Sequence, residues 1–238
     1  MMIVASALMV AGASNAFAAD AAAEDIAPIA SGAYDWSGFY VGIHGGYSFG
    51  QSNYDVYEPG PAALYVISNP DPDGYLLGAH AGYIRQFSNG FVFGGEADLS
   101  YSSSKGSDYV SLITPTGPIA DDNIWFESEI KWTASARARF GYAMDRFLPY
   151  ATAGVAAARV ESSLNYASYP YQQFEGTHVG WTAGIGTEYA MTEKVSIRAE
   201  YRYSDYGDQD FTTVPLSNRP TKIDFQSHDI RLGVSYKF

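Results

Sequence analysis

Four histidines, His44, His80, His178 and His228, are the side chains here best able to ligate a metal or carry a proton near neutrality. No His-x-x-x-His pair occurs and no histidine sits in a carboxylate run, so the spacing of a metal site is absent. Ser227-His228-Asp229 holds the letters of a nucleophilic triad. Consecutive strand residues point to opposite faces, so the three cannot converge. Asn69-Pro70-Asp71-Pro72-Asp73-Gly74 imitates the first half of a calcium loop. Its twelfth position is His80 rather than glutamate, and two prolines interrupt it. Gly184-Ile185-Gly186 lacks the third glycine of a dinucleotide-binding turn. Glu127 and Glu129 could form an acid–base pair for hydrolysis, but bases alternate along the same face. With no cysteine, thiol catalysis, disulfides and thiolate zinc sites are excluded. The reading predicts no enzyme, no cofactor and no metal.

The elements that carry these residues have period two. From Phe39, the odd positions Phe39, Val41, Ile43, Tyr47 and Phe49 are apolar, against Gly42, His44, Gly46 and Ser48. Leu77, Ala79, Ala81, Tyr83 and Phe87 form one face of the next segment, broken by Arg85. Phe91, Phe93, Ala97, Leu99 and Tyr101 oppose Glu96, Asp98 and Ser100. Ile124 to Tyr142 sets Ile130, Trp132, Ala134, Ala136, Ala138 and Phe140 against Glu127, Glu129, Lys131, Ser135, Arg137 and Arg139. Phe147 to Val160 leaves both facings open, because Ala, Gly and Thr fill both sides. Val179 to Tyr189, Val195 to Tyr203 and Ile230 to Phe238 alternate again. Eight strands of roughly ten residues follow, the length of a tilted membrane-crossing strand. Long connections near 51–74, 103–123, 161–177 and 207–225 alternate with tight turns at Ser88-Asn89-Gly90, Ala143 to Arg146 and Ala190 to Lys194.

That pattern predicts an all-β, eight-stranded, antiparallel up-and-down transmembrane barrel. Four long loops lie on the extracellular side, with short turns and both termini on the periplasmic side. A soluble sandwich would also alternate, but the apolar face carries aromatics near strand ends, as girdles at two membrane interfaces require. Residues 1–18, an apolar stretch ending in Ala16-Phe17-Ala18, read as a signal peptide. Residues 19–35 read as a flexible, acidic periplasmic leader and 36–238 as the outer-membrane barrel. An excess of 26 acids over 14 bases, a net charge of -12, excludes nucleic acid as a partner.

Asp35-Trp36-Ser37-Gly38-Phe39-Tyr40-Val41-Gly42 resembles the opening strand of alphaproteobacterial OmpA-like outer-membrane proteins, the surface-antigen type of porin family protein. Gly94-Gly95-Glu96-Ala97-Asp98, Gly180-Trp181-Thr182-Ala183-Gly184-Ile185-Gly186, Glu200-Tyr201-Arg202-Tyr203 and the terminal Leu232 to Phe238 resemble its later strands. The resemblance implies a barrel at the cell surface of a Gram-negative bacterium and no reaction.

The polar faces carry seven acids (Glu96, Asp98, Glu127, Glu129, Glu188, Glu200, Asp229) and seven bases (Lys131, Arg137, Arg139, Arg198, Arg202, Arg231, Lys237). An eight-stranded interior is only wide enough for its own side chains, so these are expected to interlock as a lumen network. Inward glycines such as Gly42, Gly46, Gly82, Gly94, Gly184 and Gly186 are expected to leave pockets beside it. The functional expectation is a structural outer-membrane barrel that supports the envelope and meets surface partners through its loops. Alternatives are a narrow porin for small solutes and loop binding of a host surface or a ligand such as a porphyrin. Tyr54, Tyr57, Tyr166, Tyr169, Tyr171 and His178 are the candidates for the porphyrin. Expected partners are outer-membrane lipid and lipopolysaccharide, host or environmental ligands, and the barrel-assembly machinery, which would read the terminal Tyr236 and Phe238.

Overall fold

A computed structural model describes residues 34–58, 64–68, 71–114, 117–166, 169–211 and 221–238. The expected signal peptide and residues 19–33 of the leader lie outside the described residues. The strands are β1 (Gly38–Glu58), β2 (Leu64–Ser68), β3 (Asp73–Gln86), β4 (Phe91–Ser102), β5 (Lys105–Thr114), β6 (Gly117–Tyr142), β7 (Phe147–Tyr166), β8 (Tyr169–Ala190), β9 (Val195–Phe211) and β10 (Thr221–Lys237). They close into an antiparallel barrel in which β1 joins β10 on one side and β3 on the other.

Ten strands make eight staves. The pairings Phe49↔Asp73 and Tyr54↔Ser68 continue one register, so β2 extends β3 beside β1. Leu76↔Ser102, Asp73↔Lys105 and Tyr65↔Ile113 likewise continue one register, so β5 extends β4. The four long connections expected from the sequence are therefore mostly strand, carried beyond the apolar band as hairpins. At the opposite end the turns are tight. Gly90 has φ 85° and Asp145 φ 53°, the left-handed conformations such turns need.

The register fixes the width. Val41 pairs with Ala81, and the ladder then runs through Ala97, Ala136, Val155, Trp181, Asp205 and Gln226 back to Gln51 on the starting strand. One circuit thus advances ten residues. Such a stagger tilts the staves and leaves an eight-stranded interior that side chains alone can fill.

The facing is that of a barrel turned inside out. Phe39, Ile43, Leu77, Leu99, Val155, Ile185 and Leu232 are exposed on the outside, while His80, Glu96, Asp98, Arg137, Arg139 and Arg202 are buried within. The open facing of β7 resolves with Leu148, Tyr150, Thr152, Ala156, Ala158 and Val160 inward. Outward aromatics gather at both edges of the apolar band. Phe39–Tyr83 and Phe91–Tyr142 ring pairs (4.7 and 5.4 Å) lie at the short-turn edge. Tyr47–Tyr75 and Trp181–Tyr203 (both 5.2 Å) lie at the long-hairpin edge.

Ala136 is exposed and sits between those edges, opposite Ala97 and Val155. Ala136→Arg is expected to cost about 2–4 kcal/mol of folding stability in a bilayer, and Ala136→Leu little. Urea titration of protein refolded into lipid vesicles measures both. Equal midpoints would show that this face does not meet lipid.

Candidate functional site

The barrel interior is where buried charged side chains converge among the described residues, and it is stacked in three layers. The middle layer is ionic. The alternation of β4, β6, β8, β9 and β10 sends Glu96, Asp98, Glu188, Glu200 and Asp229 inward to meet Arg137, Arg139, Arg198, Arg202 and Arg231, all buried. Arg137 joins three carboxylates, at 2.5 Å to Glu96, 2.9 Å to Glu200 and 3.5 Å to Asp98. Arg202 bridges Asp98 (2.9 Å) and Glu200 (2.8 Å). Arg231 bridges Asp98 (3.1 Å) and Asp229 (2.7 Å). Arg198 pairs with Glu96, and Arg139 with Glu188. Neutral donors occupy remaining lone pairs: Tyr40 Oη donates to Glu96 at 2.7 Å, Tyr150 Oη to Glu200 at 3.1 Å, and the hydroxyls of Ser135 and Ser196 to Asp98 and Glu188. The Arg139 guanidinium also lies 3.8 Å from the Tyr150 ring centroid. Five charges of each sign are thus paired with one another, as burial demands, although the Arg137 and Arg139 Nε–H groups have no hydrogen-bond partner among the described residues.

Beside this layer His44 and His80 meet through their Nδ1 atoms at 3.3 Å, and their Nε2 atoms contact Ser100 (2.8 Å) and Ser235 (2.9 Å). The inward glycines do not leave the expected pockets. A Cβ on Gly42 would lie 2.4 Å from His80 Nε2, and one on Gly82 2.5 Å from Tyr40 Oη. Rings of the facing strand occupy the missing side-chain volume.

The layer at the short-turn end is a cork. Tyr34 and Trp36, before β1, pack with Tyr40, Ile84, Val92, Leu148 and Ala190, inward residues of five strands. Trp36 Nε1 donates to the Asp145 carbonyl at 2.9 Å and Trp36 N to Gln86 Oε1 at 2.9 Å. Gln86 N donates back to Ser37 Oγ at 3.0 Å. Lys237 Nζ stands 4.1 Å from the Tyr34 ring centroid. Burial, then the Glu188 and Glu193 charges, pushes the Tyr34 hydroxyl up to about 12, so the ring stays neutral. At the long-hairpin end Ile130, Ala156, Ala158, Val160, Tyr206 and Phe225 form an apolar cap, with the Tyr206 and Phe225 rings 5.5 Å apart.

Four residues expected in the network are placed elsewhere. A bulge between Ile130 and Trp132 inserts Lys131 into β6, and one extra residue exchanges the two faces. Ser128 and Ile130 therefore turn inward, and Glu127 and Glu129 turn outward. Glu129 pairs there with Lys131 (2.8 Å) and Lys105 (3.4 Å). Lys237 belongs to the cork, where its Nζ donates to the Asp35 carbonyl. Tyr40, Tyr150, His44 and His80 belong to the interior and were absent from the expected set. Their signal was position on the polar face of a strand. Ser227 Oγ and Asp229 Oδ1 meet inside at 2.8 Å, while His228 Nδ1 lies outside, 2.7 Å from Tyr201 Oη. His178 is buried on β8. The side chains of Tyr54, Tyr57, Tyr166, Tyr169 and Tyr171 lie outside the described part. Tyr236 and Phe238 are exposed on the outer wall in an edge contact at 5.3 Å.

Three comparisons bear on this arrangement. The family described as "Outer membrane protein beta-barrel domain" matches residues 4–238. The chain is 34% identical to the 31 kDa outer-membrane immunogenic protein of Brucella melitensis, over 95% of each chain. It is 32% identical to the 25 kDa outer-membrane immunogenic protein of Brucella abortus, over 100% of this chain and 97% of that one. Among solved structures, the outer membrane protease OmpT from Escherichia coli aligns with TM-score 0.50 at 10% identity, over 84% of this chain and 97% of that one, a likeness of fold alone.

The strength of the ionic layer is measurable. Arg137→Met leaves Glu96 and Glu200 each short of a partner in a buried site, which is expected to cost about 3–5 kcal/mol. Arg137→Lys should recover only part, because an ammonium cannot fork between carboxylates. Denaturant midpoints equal to wild type in both variants would show that the layer is not mutually dependent.

Proposed function

The chain belongs to the outer membrane protein β-barrel family, and on that premise we propose that it is a closed structural barrel of the outer membrane rather than a pore or an enzyme. Its short turns and both termini face the periplasm, and its long hairpins face outward, where they meet host or environmental surfaces. The observation that carries the reading is the stacked interior. Cork, ionic layer and apolar cap lie in series, and each crosses the lumen. An ion moving through would have to separate Arg137 from three carboxylates or displace Trp36 from Asp145. Breaking one partner from a buried pair costs about 3–5 kcal/mol, so spontaneous opening is rare. Filling the lumen with ion pairs makes the wall stiff, which suits a part that reinforces the envelope. The word immunogenic in the names of the Brucella relatives supports surface-facing hairpins. No reaction is proposed, since the carboxylates of the lumen are held by arginines and His228 stands apart from Ser227 and Asp229.

Single-channel recording of the refolded protein tests closure. The unmutated barrel is expected to give no steady conductance, and the paired variant Trp36→Ala with Arg137→Met to give flickering openings. A steady large conductance in the unmutated protein would replace this reading with the narrow porin.

Assembly is proposed to depend on the outward Tyr236 and Phe238 at the end of β10, which the barrel-assembly machinery would read. Removing Phe238 is expected to lower the outer-membrane amount severalfold, with the protein degraded or held in the periplasm. Fractionation of cells expressing the shortened chain checks this, and a normal outer-membrane level would sink it.

A further inference from the structure

The outer wall is not uniform around the barrel. On β4, β6 and β7 it is unusually smooth. Gly95 pairs with Ala138, which pairs with Ala153, and Ala97 pairs with Ala136. On β9, β10 and β1 the same band carries Ile197, Tyr201, Leu232, Val234 and Ile43. At the long-hairpin edge the smooth sector changes again. The row Tyr101↔Trp132 continues onto β7 not with a third aromatic but with Arg159. One step beyond, Glu129, Glu161 and Glu175 stand directly opposite one another on β6, β7 and β8. Like charges facing across strands are destabilising. They are held together by Lys131, which reaches Glu129 (2.8 Å) and Glu161 (3.3 Å), by Lys105 on Glu129, and by Arg159 on Glu175.

We propose that this sector seats one phosphorylated, multiply acylated glycolipid of the outer leaflet, with its acyl chains on the alanine wall and its phosphates on Lys105, Lys131 and Arg159. Two independent features converge on that ligand. A wall of mostly glycine and alanine, with Leu99 and Val155 as its larger mid-band side chains, lets several acyl chains lie side by side in close contact, and dispersion contacts add over such an area. A cluster of partly exposed cations then stands at headgroup level directly above it. Their side chains remain 58%, 31% and 40% exposed, so a phosphate can approach. An ammonium has three donors, so Lys131 keeps one N–H free of its two carboxylates for a phosphate oxygen. Arginine offers a planar fork suited to phosphate. The glutamates serve as positioning residues that hold the cations upright at the wall. Among the described residues the long-hairpin half carries four bases (Lys105, Lys131, Arg159 and Lys222), and three of them stand in this one place. The inference rests on the proposed orientation, with the long hairpins outward.

The test counts lipids retained on refolded protein by native mass spectrometry, after incubation with lipid A carrying two phosphates. One molecule is expected to be retained. The triple variant K105Q/K131Q/R159Q should retain it about tenfold more weakly, through loss of charge-assisted hydrogen bonds. Ala136→Phe with Ala153→Phe, which roughens the wall without touching a charge, should weaken retention too. Arg85→Gln, an outward cation at the other end, should leave it unchanged. Heat-modifiable migration on a gel reports folding. Arg159→Gln alone, at a half-exposed side chain, serves if the triple variant does not fold. Unchanged retention in the triple variant or in Arg159→Gln would overturn the proposal. So would an equal loss in Arg85→Gln, or equal retention of phosphatidylglycerol. Orientation is read separately, by protease cleavage of the long hairpins on whole cells, so a failure there is distinguishable from a failure of the seat.

Discussion

The constraint on which this structure depends is the width of a closed ring of eight staves whose register advances ten residues in one circuit. That width admits side chains and no bulk solvent column. Every inward charge must then find its opposite inside the ring, because desolvating an unpaired ion costs several kcal/mol. The interior answers with five carboxylates and five guanidiniums, and with arginine at every cationic position. Arginine suits the task because its fork can serve two or three carboxylates at once, as Arg137 does. The inward glycines follow from the same limit. Tyr40 and His80 fit only because Gly82 and Gly42 offer no Cβ on the facing strand.

The upper limit of the ionic layer is set where apolar residues take the inward positions. On β6 the bulge at Lys131 brings Ile130 inward, while on β9 and β10 Tyr206 and Phe225 simply continue the inward alternation of Ser204 and Ser227. The bulge changes facing by inserting a residue, and it does so where the wall leaves the apolar band. Below that height the interior is charged and the exterior apolar. Above it Ile130, Val160 and Phe225 close the interior, while Glu129, Glu161 and Arg159 stand on the exterior. On β6 a single inserted residue therefore ends the lumen and begins the water-facing wall at one height.

The staves, their order and most inward residues were legible because lipid outside and charge inside force strict alternation. Glu96, Asp98, Arg137, Arg139, Arg198 and Arg202 could be placed by parity alone. The hairpin extensions could not, since beyond the bilayer neither face needs to be apolar and the alternation fades. The Lys131 bulge was silent for a related reason. Ile130-Lys131-Trp132 alternates apolar and polar in either register, so nothing in the letters marks the extra residue. The cork was invisible because its bonds join residues far apart in the chain, such as Trp36 with Gln86 and Trp36 with Asp145, and no local period encodes them.

Charge partition links interior to surroundings. With the lumen balanced at five and five, it contributes nothing to the formal charge of -12. Self-repulsion on that scale keeps such surfaces apart from one another and from anionic lipid. A barrel embedded in an anionic leaflet must counter this where its wall meets the headgroups, since beyond a Debye length the interaction is largely screened. Cations placed at that one height act more strongly than the same cations spread over the hairpins. Arg159 beside Trp132, with Lys131 above it, is such a placement. The bulge that ends the lumen also brings Lys131 to the outside, so one inserted residue serves both the closure of the interior and the contact of the wall with its membrane.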